Sequence, residues 1–366
     1  MSHPYTHLEP TQFWRTGVAQ MDALDICGLW QPKFPIAPTT RICTAGSCFA
    51  QHFSRALRQR GYQWCNFEPA PAFMDQDLAA AYNYGVFSFR TGNIYTPKML
   101  RQWLEWAFGV APAPREIWQL GDGLYDPFRP AIEPDGFASP AEIGLSREVT
   151  LAAIRDAVRQ SDVFVFTMGL TESWAHRASG VEYAICPGTA AGQFDPAAHV
   201  FVNHPYPDLL EDMNAALAIL HLENPKLKVL LTVSPVPLTA TASGAHVLTA
   251  TSLSKSILRA VAAAVCAGRE DVDYFPSFEI ITSPVYGGRF FAPNMRQVLP
   301  AGVDHVMACF FKDQAAAFGG EQAHDVAPTP QNSQPIPAEI DEAQEELICE
   351  EAILSAFAPK NAQGNT

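Results

Sequence analysis

Ser47 is the residue best placed to do covalent chemistry. It follows Gly46, which can take a turn closed to other residues. It also stands between Arg41–Thr44, which reads as a short strand, and Phe49–Arg60, where Phe49, Phe53, Ala56 and Leu57 share one helical face. A hydroxyl at such a junction can attack a carbonyl carbon while its own N–H holds the resulting oxyanion. Capping the following helix is the alternative role for a serine there. Cys48 is a rival nucleophile, and a buried thiol is its ordinary reading. Two more junctions collect polar groups: Met168-Gly169-Leu170-Thr171-Glu172, and the stretch from Ser277 to His305. The eight cysteines are scattered without a C-x-x-C pair or a His/Cys cluster, so no metal, cofactor motif or disulfide scaffold is indicated.

The elements that must position these junctions alternate. Helical spacing is read over Pro97–Phe108, Ser146–Gln160 with Ser146 as its cap, Tyr206–Glu223, Ser254–Ala267 and Gly302–Ala317. Between them, Asp162–Thr167, Lys228–Ser234 and Val272–Phe275 are continuous apolar runs of the kind buried on both faces of a sheet. The alternation predicts an α/β protein, three-layer αβα, with a mostly parallel sheet and helices on both sides. The 30 prolines add long irregular segments. Residues 1–38 read as an irregular lead-in packed on the outside, 39–318 as the main domain, and 319–337 as a linker rich in Gly, Gln, Asn, Ser and Pro. Residues 338–366 read as an acidic helix and tail, with Ile340, Leu347 and Leu354 seven apart.

A net charge of −14 with no basic stripe argues against nucleic acid or an anionic membrane surface as partner. Much of the excess lies in Glu339–Glu351, which holds 7 carboxylates. No window of about 18 apolar residues could span a bilayer, and Met1–Trp14 lacks an apolar leader, so a cytoplasmic location with reduced thiols is expected.

Gly46-Ser47-Cys48-Phe49-Ala50 resembles the signature of the GSCFA family, a group related to SGNH/GDSL-type hydrolases. The resemblance continues in order through Phe87–Thr96, Gly169–Trp174, Cys186–Thr189, Val233–Pro237 and Tyr274–Glu279. It implies a flavodoxin-like three-layer fold and an active serine at Ser47. In the wider superfamily the oxyanion is held by the serine N–H, a glycine N–H and an asparagine. Gly169 matches the glycine of the third block, whereas Glu172 stands where the asparagine belongs, and a carboxylate donates no hydrogen bond unless protonated. Asn93, beside Gly92, is a candidate substitute donor, with bracing its own turn as the alternative.

The superfamily's Asp and His, three residues apart before the last helix, are matched here by Asn294-Met295-Arg296-Gln297, which has neither. His305 is then the expected base, with His246 or His52 as alternatives and packing as its plain role. Asp304 adjoins His305 but points elsewhere on a helix, so Glu172, Glu279 or a carbonyl would have to orient the ring. Arg90, Arg289 and Arg296 are the cations nearest the motif loops, and Trp174 and Tyr95 could stack on a sugar. The function expected is serine-dependent acyl transfer, as an esterase or O-acyltransferase on a small-molecule or saccharide ester. The alternative is an inactive domain that binds a glycan or a protein.

Overall fold

Apolar runs with β-branched and aromatic residues on alternate sides form the centre of the molecule. The computed structural model describes residues 3–319 and 350–358. In chain order the elements are β1 (Ile42–Gly46), α1 (Phe49–Gln59), α2 (Gln76–Ala81), α3 (Pro97–Ala107), β2 (Trp118–Leu120), β3 (Gly123–Tyr125), α4 (Pro140–Gln160) and β4 (Val163–Met168). There follow β5 (Glu172–His176), β6 (Glu182–Tyr183), β7 (His199–Asn203), α5 (Tyr206–Glu223), β8 (Lys228–Val233), α6 (Val247–Cys266), β9 (Val272–Tyr274), α7 (Ser277–Thr282) and α8 (Pro300–Phe318).

The central sheet has the order β1-β4-β8-β9 and is parallel throughout. Its side chains alternate between two cores, as the two-residue period of a strand requires. Phe164, Phe166, Met168, Val229, Leu231 and Val233 join the core made with α3, α4, α5 and α6. Val163, Val165 and Leu230 join the opposite core, with α1, α7 and α8. This is a three-layer α/β fold. The outer edge of β1 is covered by irregular chain: Ile42 pairs with Trp64, Ser88 N–H donates to the Thr44 carbonyl (3.2 Å), and Ile94 N–H donates to the Gly46 carbonyl (2.9 Å).

Several expectations change. The lead-in is not merely laid on the outside: Trp30, Phe34 and Ile36 are buried in the second core, and the Trp30 ring stacks on Phe310. Lys33 Nζ donates to the carbonyls of Cys266, Arg269 and Val272, tying the lead-in to the end of α6. Helix α4 begins six residues before the predicted start. Pro140 opens it and Ser139 accepts the Glu142 N–H, while the Ser146 hydroxyl accepts from Arg129 instead of capping. Helix α6 likewise starts at Val247, capped by His246.

Two small sheets were not predicted, the β2–β3 hairpin and the antiparallel sheet β6-β5-β7. The Asp126 carboxylate, fully buried, is shared by Arg129 and Arg147 and pins the first of these to α4. The predicted linker, and most of the acidic tail with Ile340 and Leu347, lie outside the described residues. Glu350–Phe357 forms a 3₁₀ helix.

Candidate active site

The turn after β1 exists because position 46 is glycine. Gly46 has φ +136°, and a Cβ there would meet the Thr167 carbonyl oxygen of β4 at 2.4 Å. The chain therefore passes β4 at backbone distance and delivers Ser47 to the C-terminal edge of the sheet, where parallel α/β proteins place their ligands. Ser47 N–H donates to the Thr167 carbonyl at 3.0 Å. Its hydroxyl oxygen is buried and has no hydrogen-bond partner among the described residues, and the residue is 2% exposed.

Gly169 closes the other side. A Cβ on it would lie 2.9 Å from Ser47 Cβ and 3.0 Å from Tyr95 Cδ1, so the sheet brings Ser47, Gly169 and Tyr95 into one contact. The Tyr95 carbonyl accepts both Gly169 N–H (2.8 Å) and Leu170 N–H (3.1 Å). The amides of Ser47 and Gly169, expected to receive an oxyanion, are thus both bonded to carbonyl oxygens in this structure.

Asn93 is buried next to this turn, since its neighbour Ile94 is bonded to Gly46. Glu172 is brought to the same loop at the start of β5, where its carboxylate accepts from the Thr241 hydroxyl at 2.7 Å. Burial raises its pKa, against the opposing pull of the Thr241 and Ala242 hydrogen bonds. Cys48 is buried beneath the start of α1.

None of the histidines considered is hydrogen-bonded to Ser47. The His305 ring stacks on Phe290 and meets Tyr286 edge-on, with Nε2 4.0 Å from Cys309 Sγ. Burial, then the nearby Arg289, lowers its pKa. It is a packed histidine of α8, and Asp304 beside it is exposed. His246 is exposed and accepts the Leu248 N–H as the cap of α6. His52 is held at a pKa of about 4 by burial and by Arg55, and its ring meets Phe49 edge-on. The Asn294 side chain accepts the amides of Arg296 and Gln297, which makes it a turn brace.

Arg90 is a structural cation. Its guanidinium donates to the Tyr82 and Ile132 carbonyls, the Tyr84 hydroxyl and Glu133. Arg289 is exposed and donates back to the Tyr286 carbonyl.

Two groups near the site escaped the sequence reading. Lys255 is 1% exposed, and its Nζ donates to the Gly169 carbonyl at 2.6 Å. The adjacent Ser254 hydroxyl accepts the Thr171 N–H at 3.0 Å, so α6 fixes the Gly169–Thr171 loop with two consecutive side chains. The signal was available: Lys255 lies three and seven residues before the buried Leu258 and Ala262, on the stripe that faces the sheet. The second group is the buried pair of His204 with Glu182, whose other oxygen accepts from the Thr96 hydroxyl. Burial alone would lower the His204 pKa, but Glu182 outweighs it and the pKa is raised. No local pattern announces that pair, because its partners come from strands that read as loop.

The order of motifs around this geometry matches the GSCFA family over residues 41–310. The chain belongs to the GSCFA family. Neither a curated protein nor a solved structure matches it. The GSCFA match takes in β1, the Ser47 turn, the Gly169 loop, Lys255 and α8 as far as Phe310. It leaves out the lead-in that supplies Trp30 and Lys33. Among the described residues no helix is long and apolar enough to cross a membrane.

Proposed function

We propose that this GSCFA chain is a serine-dependent acyl-transfer enzyme. In the reaction, Ser47 Oγ forms a bond to the carbonyl carbon of an ester, the bond from that carbon to the alkoxy oxygen breaks, and the serine proton passes to the departing alcohol. A water molecule or a saccharide hydroxyl then takes the acyl group and returns the proton to Ser47, giving an esterase or an O-acyltransferase. The proposed substrate is an O-acylated saccharide and the proposed setting is the cytoplasm.

The observation that carries the reading is the Ser47 hydroxyl. A buried polar atom without a partner costs about 1–3 kcal/mol, so each such group calls for an explanation. This one sits on a glycine-forced turn at the C-terminal edge of a parallel sheet, against Gly169. The alternative, a binding domain without turnover, draws support from the two committed amides and from Gln297.

An alkyl fluorophosphonate probe separates them. Wild-type protein is expected to be labelled on Ser47 and Ser47→Ala to be unlabelled. A wild type that resists the probe under native conditions would leave the binding domain as the better reading.

A further inference from the structure

A cavity of about 580 Å³ lies beside the loop that follows Gly169, with Leu170 and Glu172 in its wall. Ser47 does not line it, but Tyr95 does, and Tyr95 Cδ1 and Ser47 Cβ both flank the position that a side chain on Gly169 would take. Trp174, Ile185, Phe201 and Leu238 continue the lining outward. The lining holds no Lys, Arg, His or Asp among the described residues, and its one carboxyl group, Glu172, is shifted toward the neutral form. Such a wall offers little to a phosphate or another anion. Several of its hydroxyls are already engaged, Tyr183 with Glu116, Thr189 with the Cys186 carbonyl and Thr241 with Glu172, which leaves fewer to replace the water around a sugar.

An apolar chain suits the same wall. A cavity of about 150 Å³ accommodates benzene, so on that scale this one, nearly four times larger, has room for an aliphatic chain of about twenty carbons. The chain's own C-terminal turn makes the same point, because Leu354 and Phe357 also line this cavity. We infer that the cavity is the acyl-chain site of the proposed Ser47 chemistry, selecting aliphatic acyl groups of about six carbons or more over acetyl. This inference rests on the acyl-transfer reading for its role, whereas binding of the chain stands on the cavity alone.

The test uses the full chain carrying Ser47→Ala and calorimetric binding of the methyl esters of butanoic, hexanoic and octanoic acids. The dissociation constant is expected to fall about fourfold for each added methylene. Ala184→Phe fills the cavity from within and should abolish that trend; Ala240→Trp, at an exposed lining position, should weaken it and serves if the first variant does not fold. A flat dissociation constant across the series, or tighter binding of methyl glucoside than of methyl octanoate, overturns the inference. Turnover of the same esters by wild type keeps the two readings apart. Chain-length-dependent binding without hydrolysis or transfer supports the cavity and sinks the serine chemistry; turnover of methyl acetate faster than methyl octanoate does the reverse.

Discussion

Placing an alanine at position 169 should strain the one contact that defines the site. The new methyl would stand 2.9 Å from Ser47 Cβ and 3.0 Å from Tyr95 Cδ1. Carbon atoms prefer about 3.5–4.0 Å, so each neighbour would have to retreat by roughly half an ångström or more. Neither is free to do so. Ser47 is held by its amide bond to Thr167 and by the glycine turn before it, and Tyr95 is buried with its carbonyl bonded to two amides. Overpacking of this kind costs about 1–3 kcal/mol. The clash with Ser47 belongs to its Cβ, so Ser47→Gly should relieve that part and leave only the contact with Tyr95. Urea unfolding followed by tryptophan fluorescence on Gly169→Ala, Ser47→Gly and the double variant reads the coupling. The double variant is expected to be more stable than the sum of the single effects by about 0.5 kcal/mol or more, with the urea slope unchanged. Strict additivity would mean that Ser47 and Gly169 do not touch, and the site as described would be wrong.

Two further outcomes are expected. Glu172 has a raised pKa in the folded chain, so the folded state binds more protons than the unfolded one above the ordinary carboxyl pKa, and its contribution to stability is lost as pH rises through the folded value. Glu172→Gln should remove that loss, leaving melting temperature less dependent on pH between about 4.5 and neutrality; an unchanged pH profile would contradict the assignment. His246→Ala should cost about 1 kcal/mol in thermal or urea unfolding through loss of the α6 cap, yet leave fluorophosphonate labelling of Ser47 at the wild-type rate. A labelling rate that collapses would return His246 to the catalytic machinery.

The central layers were legible because both faces of each parallel strand are buried. Val163–Met168 and Lys228–Val233 are therefore unbroken apolar runs, and such runs between helical periods admit few topologies. The small sheet β6-β5-β7 was not legible. Its strands carry Glu172, His176, Glu182 and His199, and β6 is held by contacts to α3 that no local window contains. The helix starts at Pro140 and Val247 were missed for a local reason: Ser139-Pro140 is a cap followed by a first-turn proline, and His246 caps through a ring nitrogen, a less familiar donor–acceptor pattern than serine. At the site, Gly46, Ser47 and Gly169 were legible because close backbone approach admits only small residues. Lys255 was not, because an isolated lysine inside an apolar helix reads as a solvated side chain until its carbonyl partner is known.

The proton remains the point on which this chain departs from a serine–histidine arrangement. His305 is spent on packing, His246 on a helix cap, and His52, at a pKa of about 4, is too weak an acceptor to draw a proton from an alcohol near neutrality. In the segment before α8, Asn294 braces a turn by accepting the amides of Arg296 and Gln297. What the fold places near Ser47 instead is a loop whose carbonyl, at Gly169, is held by the buried ammonium of Lys255. Lys255 thereby anchors, through that carbonyl, the glycine that packs against Ser47. For the proposed acyl transfer, the Gly169 and Leu170 amides would have to leave the Tyr95 carbonyl before they could receive an oxyanion.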